Sequence, residues 1–350
     1  MGLRLIKVIL IRTDANEQIG GGHVMRCLAI AHALVNKGEN VIFVTADSKA
    51  DGLIKSHGFE NICLHSDFTD IENEQLDKVV AAAGADLLIL DSYYVTERLF
   101  DTLKAVVQTA YLDDLNKSRW NTDYLINYNI YANVFDYSRY DGTRTVLLLH
   151  PRYAPLRAEF IGISGHTIKD VEDVFVSAGG ADPEHISEKI MEGIVPDYPE
   201  VRFHFVVGAL NPELEKLKMM AEGYANIILH INEQHMADLM KRCDIAVSAA
   251  GSTLYELCAC GTPAITYLLA DNQLVGGEQF EKQGIMLNAG DCRNDPGFIV
   301  RLKKTFGELM NDESLRLNLS GSMQRVVDGY GAYRIADELR RHHSVFVRRG

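Results

Sequence analysis

A chain of 350 residues with 47% apolar and 24% charged side chains has the make-up of a globular protein and the length of two ordinary domains. Its formal net charge of −13, from 35 basic and 48 acidic residues, argues against a nucleic-acid binder that works by overall basicity. An anionic small ligand stays compatible if helix dipoles and a few local cations hold it. No apolar run approaches a membrane span, and the apolar start carries Arg4, Lys7 and Arg12, so it reads as a first strand and lacks the uninterrupted core of a signal peptide. The expectation is a cytoplasmic protein without membrane insertion. Cys27, Cys63, Cys243, Cys258, Cys260 and Cys292 form no CxxC pair and no zinc spacing, so they read as buried, reduced thiols.

Strand-like and helix-like segments alternate along the chain. Residues 3–13 (LRLIKVILIRT) predict a strand and 23–37 (HVMRCLAIAHALVNK) a helix. In that helix Val24, Cys27, Leu28, Ala31, Leu34 and Val35 form the buried stripe. Arg26 lies off the stripe, one turn from His23, within reach of the same ligand. Strands follow at 41–46, 61–65, 86–91, 109–112, 124–127 and 145–150, with helices at 71–83 and 96–107. Residues 151–165 hold two prolines and two glycines and read as a linker. The rhythm then restarts, with strands at 174–178, 202–207, 227–231, 244–249 and 264–269 and helices at 184–193, 212–224, 233–242 and 253–260; helices continue to the end. Near-continuous apolar strands separated by helices indicate parallel sheets covered on both faces. The fold class is therefore α/β: two doubly wound, Rossmann-like domains facing a cleft, with ligands beyond the carboxyl ends of the strands. The expected domains are residues 1–155, carrying the glycine turn, and 165–330; a helix and basic tail occupy 331–350, where residues 340–350 read as a solvated end or a partner-binding tail.

Chemistry concentrates in the strand-to-helix loops. Gly20, Gly21 and Gly22 separate the first strand from a helix that opens with His23. Such a turn lets a ligand approach bare backbone and aims free N–H groups at an anion. A histidine in the first helical turn sits where the dipole favours the neutral ring, which accepts a proton; a capping histidine is the plainer alternative. The turn is not a dinucleotide fingerprint, because Met25 stands where a small residue is needed, and no Gly-Lys-Ser/Thr follows for a Walker A loop. Gly251, Ser252 and Thr253 open another helix, which would leave first-turn N–H groups for a pyrophosphate. Glu256, one turn in, could take ribose hydroxyls or simply complement the dipole. Gly179 and Gly180 form a third such turn, and Asp271, Asn272 and Gln273 a polar trio suited to a sugar or to a solvated loop. Tyr93 follows a buried strand and could face the same ligand or the core. The paired Asp113 and Asp114 have no accompanying Asp/His cluster in sequence, so no metal is expected.

The segments GGGHVMRCLAIA, LDSYYV, YLDDL, PRYAPLRAEF, VSAGGADPE, SAAGSTLYELCACGTP, ADNQ and VVDGYGAYRIADEL occur in this order from end to end. As a set the chain resembles the UDP-2,4-diacetamido-2,4,6-trideoxy-β-L-altropyranose hydrolases of pseudaminic acid biosynthesis and the related spore-coat polysaccharide proteins. The resemblance implies a GT-B-like architecture with UDP held mainly by the second domain, and a UDP-sugar as the small-molecule partner. It places the catalytic histidine at His23, a tyrosine at Tyr93 and a sugar-contacting asparagine at Asn272. The chain departs from it at Ser92, where many members have histidine, and in its greater length after Asn272. The implied reaction releases UDP by attack of water at the anomeric carbon, with inversion and His23 as general base, and with no cofactor. Gly20, Gly21, Gly22, Arg26, Gly179, Gly180, Gly251, Ser252, Thr253, Glu256 and Gln273 would line the substrate. An inverting UDP-sugar glycosyltransferase and a non-catalytic UDP-sugar-binding protein are the alternatives; protein partners are left open.

Overall fold

The computed structural model describes residues 8–15, 21–163, 170–180, 182–208 and 211–346. The chain divides into unit 1, Met1–Ala158 with Tyr330–Gly350, and unit 2, Glu159–Gly329.

Unit 1 is built on seven parallel strands: β1 (Ile9–Thr13), β2 (Val41–Thr45), β3 (Glu60–Cys63), β4 (Leu87–Asp91), β5 (Gln108–Leu112), β6 (Tyr124–Asn127) and β7 (Val146–Leu149). Their order is β3-β2-β1-β4-β5-β6-β7. β1 and β4 are buried along their whole length, as apolar runs in the middle of a doubly covered sheet must be. The order reverses between them, so the connections leave their carboxyl ends in opposite directions and open a crevice there. In-register pairs carry the neighbours to that edge, including Thr13 with Asp91 and Leu90 with Tyr111.

Unit 2 repeats the scheme with β8 (Asp173–Ser177), β9 (Arg202–Val207), β10 (Ile227–Ile231), β11 (Ile245–Ala249), β12 (Ala264–Leu268) and β13 (Leu287–Asp291), ordered β10-β9-β8-β11-β12-β13. Its reversal lies between β8 and β11, paired through Ser177 and Ser248. Phe203, Phe205, Phe298 and Phe306 are fully buried in its core.

Several elements differ from the sequence expectation. β13 falls where only helices were expected: LNAGD is an edge strand with a single buried side chain, so no apolar run marks it. The helix expected over 71–83 is split into a 3-10 turn, Ile71–Glu74, and a helix, Leu76–Ala83, because Gln75 takes the left-handed conformation at φ 53°. Thr96 is a cap rather than a helical residue, accepting from Leu99 N at 3.2 Å. Residues 3–7 of the first expected strand lie outside the described residues.

The first helix, Gly22–Val35, buries more than one stripe: Ala29, Ile30 and Ala33 are covered too, whereas Val35 is exposed. The reason is a late segment of chain. The Gly331–Phe346 helix packs on the first helix and is pinned by Asn36 Nδ2 to Tyr333 Oη (2.7 Å), Lys37 to Asp337 (2.6 Å) and Arg340 Nε to Glu39 (2.7 Å). Arg340, read as part of the tail, is thus engaged. All six cysteines are free thiols, and all but Cys63 are buried.

Candidate active site

His23 is the second residue of the first helix, just after the carboxyl end of β1. Gly21 caps that helix at φ −93° and ψ −5°, and a Cβ built on Gly21 or Gly22 would meet nothing within 4 Å. Neither glycine is needed to relieve the backbone, so what their smallness preserves is open space at the helix start. Gly20 lies outside the described residues.

The imidazole is nearly buried, and its Nδ1 lies 2.6 Å from Asp91 Oδ1, at the end of the neighbouring strand β4. Burial alone would raise the Asp91 carboxyl, but the adjoining Arg26 guanidinium and His23 ring outweigh it and hold the group well below the usual carboxylate range. An ionised carboxylate only accepts, so Nδ1 carries the proton of the neutral ring and Nε2 is its accepting nitrogen. Asp91 also receives Arg26 Nε at 2.6 Å, Arg26 Nη2 at 2.5 Å and the Cys27 thiol at 3.4 Å. The Cys27 thiol is pushed up by burial and by Asp91, which keeps it a neutral donor.

Arg26 therefore points into the protein. Its other edge meets Asp114, with Nη1 at 3.1 and 2.9 Å from the two oxygens, and the Tyr128 hydroxyl at 3.0 Å. The sequence placed Arg26 beside His23 for a shared ligand; the structure gives its guanidinium to two carboxylates. Tyr93 packs edge-on against the His23 ring, centroids 4.8 Å apart and planes at 84°, and donates its hydroxyl to Asp114 Oδ2 at 3.2 Å. Its phenol oxygen keeps an accepting lone pair. The acids read as a possible pair diverge: Asp114 joins this network, whereas Asp113 closes the following turn, accepting from Leu115 N, Asn116 N and Trp120 Nε1. Beside His23 lies a recess of about 10 Å³, lined by Asp14, His23, Phe68, Asp91, Ser92, Tyr93 and Tyr94, which is room for about one water molecule. Ser92 takes Tyr94 N on its hydroxyl at 3.2 Å and Tyr111 Oη on its carbonyl at 3.2 Å.

In unit 2 the other sequence candidates sit at the carboxyl ends of three adjacent strands. Gly179 and Gly180 follow β8; both are exposed, and Gly179 is left-handed at φ 77°. Gly251 and Ser252 follow β11 and are exposed; the helix Thr253–Cys260 begins there without a side-chain cap, and Glu256 is half-buried in its first turn. Asp271–Gln273 forms a 3-10 turn after β12, with Asn272 exposed and Gln273 Oε1 accepting from Leu269 N at 2.8 Å. Gln273 thus closes its own turn.

No family model matches the chain. It is homologous to the spore coat polysaccharide biosynthesis protein SpsG of Bacillus subtilis (strain 168), 24% identical over 345 residues that span 93% of this chain and 95% of that protein. A UDP-2,4-diacetamido-2,4,6-trideoxy-β-L-altropyranose hydrolase of Campylobacter jejuni is 27% identical over 252 residues, 71% of this chain and 86% of that one. Among solved structures, MurG of Acinetobacter baumannii matches with a TM-score of 0.68 at 14% identity, over 96% of this chain and 99% of that one. A UDP-GlcNAc 2-epimerase of Neisseria meningitidis bound to UDP-GlcNAc matches with a TM-score of 0.63 at 11% identity, over 95% and 99%. At these identities the structural likeness is one of fold: two parallel-sheet α/β units, as in GT-B glycosyltransferases and epimerases. Among the described residues, no helix is long and apolar enough to cross a membrane.

Proposed function

We propose that this chain hydrolyses a UDP-linked 2,4-diacetamido-2,4,6-trideoxy sugar in nonulosonic acid or surface polysaccharide biosynthesis. The observation that carries the reading is the His23–Asp91 pair at the switch point of unit 1. A carboxylate fixed on Nδ1 makes Nε2 the proton acceptor and pairs with the imidazolium that forms when the ring takes a proton. Homology to a protein named as such a hydrolase supports the substrate class.

In the proposed step, the oxygen of water bonds to the anomeric carbon while the bond from that carbon to the UDP oxygen breaks. The water proton passes to His23 Nε2 and afterwards to solvent, and UDP leaves as an anion. A stable anionic leaving group needs no second carboxyl to protonate it, unlike an ordinary glycoside. Attack on the face opposite UDP gives inversion. The diphosphate we assign to the loops of unit 2 around Gly179–Gly180 and Gly251–Thr253, where exposed small residues, Gly179, Gly180, Gly251 and Ser252, stand between a strand and a helix as an anion site needs. Tyr93, through its remaining lone pair, and Asn272 are assigned to the sugar.

The test is to incubate the purified chain with the UDP-sugar in oxygen-18 water. UDP should appear, and the label should enter the sugar; label in UDP instead would mean attack at phosphorus. An inverting glycosyltransferase would share this base and this fold, so the incubation is repeated with acceptor alcohols. UDP release that depends on an acceptor would replace hydrolysis by transfer.

A further inference from the structure

We propose that Asp114 is a positioning residue for this site, holding the His23 ring through Arg26 and Asp91 and the Tyr93 ring through its hydroxyl. The proposal rests on the reading of His23 as the base. Its basis is a closed circuit of five side chains. Asp114 binds Arg26 (2.9 Å), Arg26 binds Asp91 (2.5 Å), Asp91 binds His23 (2.6 Å), His23 packs on Tyr93 (centroids 4.8 Å), and Tyr93 returns to Asp114 (3.2 Å).

Strand order brings the circuit together. Arg26 and His23 follow β1, Asp91 ends β4 with Tyr93 two residues on, and Asp114 follows β5; these three strands are neighbours in the sheet. Arginine has a long, flexible stem, and its planar fork is fixed only if both edges are held. Asp114 holds the far edge, so the Nε and Nη2 edge faces Asp91. Removing Asp114 opens the circuit at two points at once, at Arg26 and at Tyr93. The groups facing Asp114 come from every side: Arg26 from the first helix, Tyr93 after β4, Asp113 beside it, Tyr111 on β5, and Tyr128 and Asn129 after β6, with Asn129 Nδ2 donating at 2.8 Å.

The experiment follows the His23 ring by NMR titration in the full chain, its resonance assigned by its loss in His23→Asn, alongside kinetics. Asp114→Asn should move the His23 midpoint down by about half to one pH unit, since an anion is lost nearby. It should lower kcat roughly 10- to 100-fold with KM within about threefold, as a misplaced base does. Asp114→Glu restores the charge at the wrong length; the His23 midpoint should return while kcat stays low, and it serves in place of the asparagine variant if that one does not fold. Asp113→Asn, one residue away and confined to its turn, should lower the melting temperature and leave His23 and kcat as in wild type. An Asp114→Asn protein with an unmoved His23 midpoint and normal kcat, or an Asp114→Glu protein with normal kcat, overturns the proposal. If His23→Asn itself turns over normally, the base assignment has failed, whatever Asp114 does.

Discussion

The two sheets share one strand order around their reversal points, yet they carry their buried charge at opposite ends. In unit 1 the network of His23, Arg26, Asp91 and Asp114 fills the carboxyl edge. In unit 2 that edge shows exposed glycine and serine, and a network anchored on the buried Asp173 and His204 lies at the amino edge, where Asp173 starts β8 and the exposed Arg202 starts β9. There Asp173 takes Arg202 Nε at 2.7 Å and His204 Nε2 at 2.7 Å, and His204 continues to His230 at 2.9 Å. One topology thus carries two kinds of crevice edge, one built of interlocked side chains and one of exposed small residues.

The sharpest way to break this contrast is at His23. His23→Asn should lower turnover by about 10³-fold, the range of a general base, while leaving UDP affinity unchanged by calorimetry. A comparable loss of UDP affinity would put binding at the wrong edge. Next in size is Asp91→Asn, expected to cost about 10²-fold in kcat as the tautomer and ring orientation are released. A change in KM alone would make Asp91 a binding group.

Asp173 tests the other network. Asp173→Asn should destabilise the protein by about 1–3 kcal/mol in urea unfolding, the worth of hydrogen bonds to a charged group, with kcat unaltered. Burial alone would raise the Asp173 carboxyl, but hydrogen bonds from Arg202 and His204 bring it to about 2. Its folded value lies below its unfolded one, so its contribution is complete above the unfolded range near pH 4 and is lost as pH falls toward about 2. The wild-type urea midpoint should fall more steeply than that of the variant across that window. The smallest effect is expected at Gly251. Nothing lies within 4 Å of a Cβ built there, so Gly251→Val should fold normally. Crowding the helix start should weaken UDP about five- to tenfold, with kcat little changed.

The fold was largely legible because buried parallel strands are written as apolar runs: LLILD, YLIN and RFHFVV stand close to where they were read. β13 was missed for want of such a run, and the break at Gln75 because a left-handed glutamine leaves no pattern behind it. The site was legible in its loops and illegible in its wiring. His23 announced itself by the glycines before it. Asp91 stood at the end of a buried strand, a place where an acid needs a partner, but the partners lie 65 and 68 residues away. Arg26 was read outward because helical periodicity tells which face a residue is on, not which acid a neighbouring strand will bring to it. The same limit made a pair of Asp113 and Asp114, whose side chains go to different tasks.

The Gly331–Phe346 helix has a consequence for how the protein is made. It shields the back of the helix that carries His23, yet the ribosome delivers it only after all of unit 2. During synthesis that face of the first helix waits without its cover, and a chain stopped before Tyr333 would lack the clasp on Asn36 and Lys37. His23, the base we propose, precedes unit 2 in the chain, and the helix that covers its own helix follows unit 2.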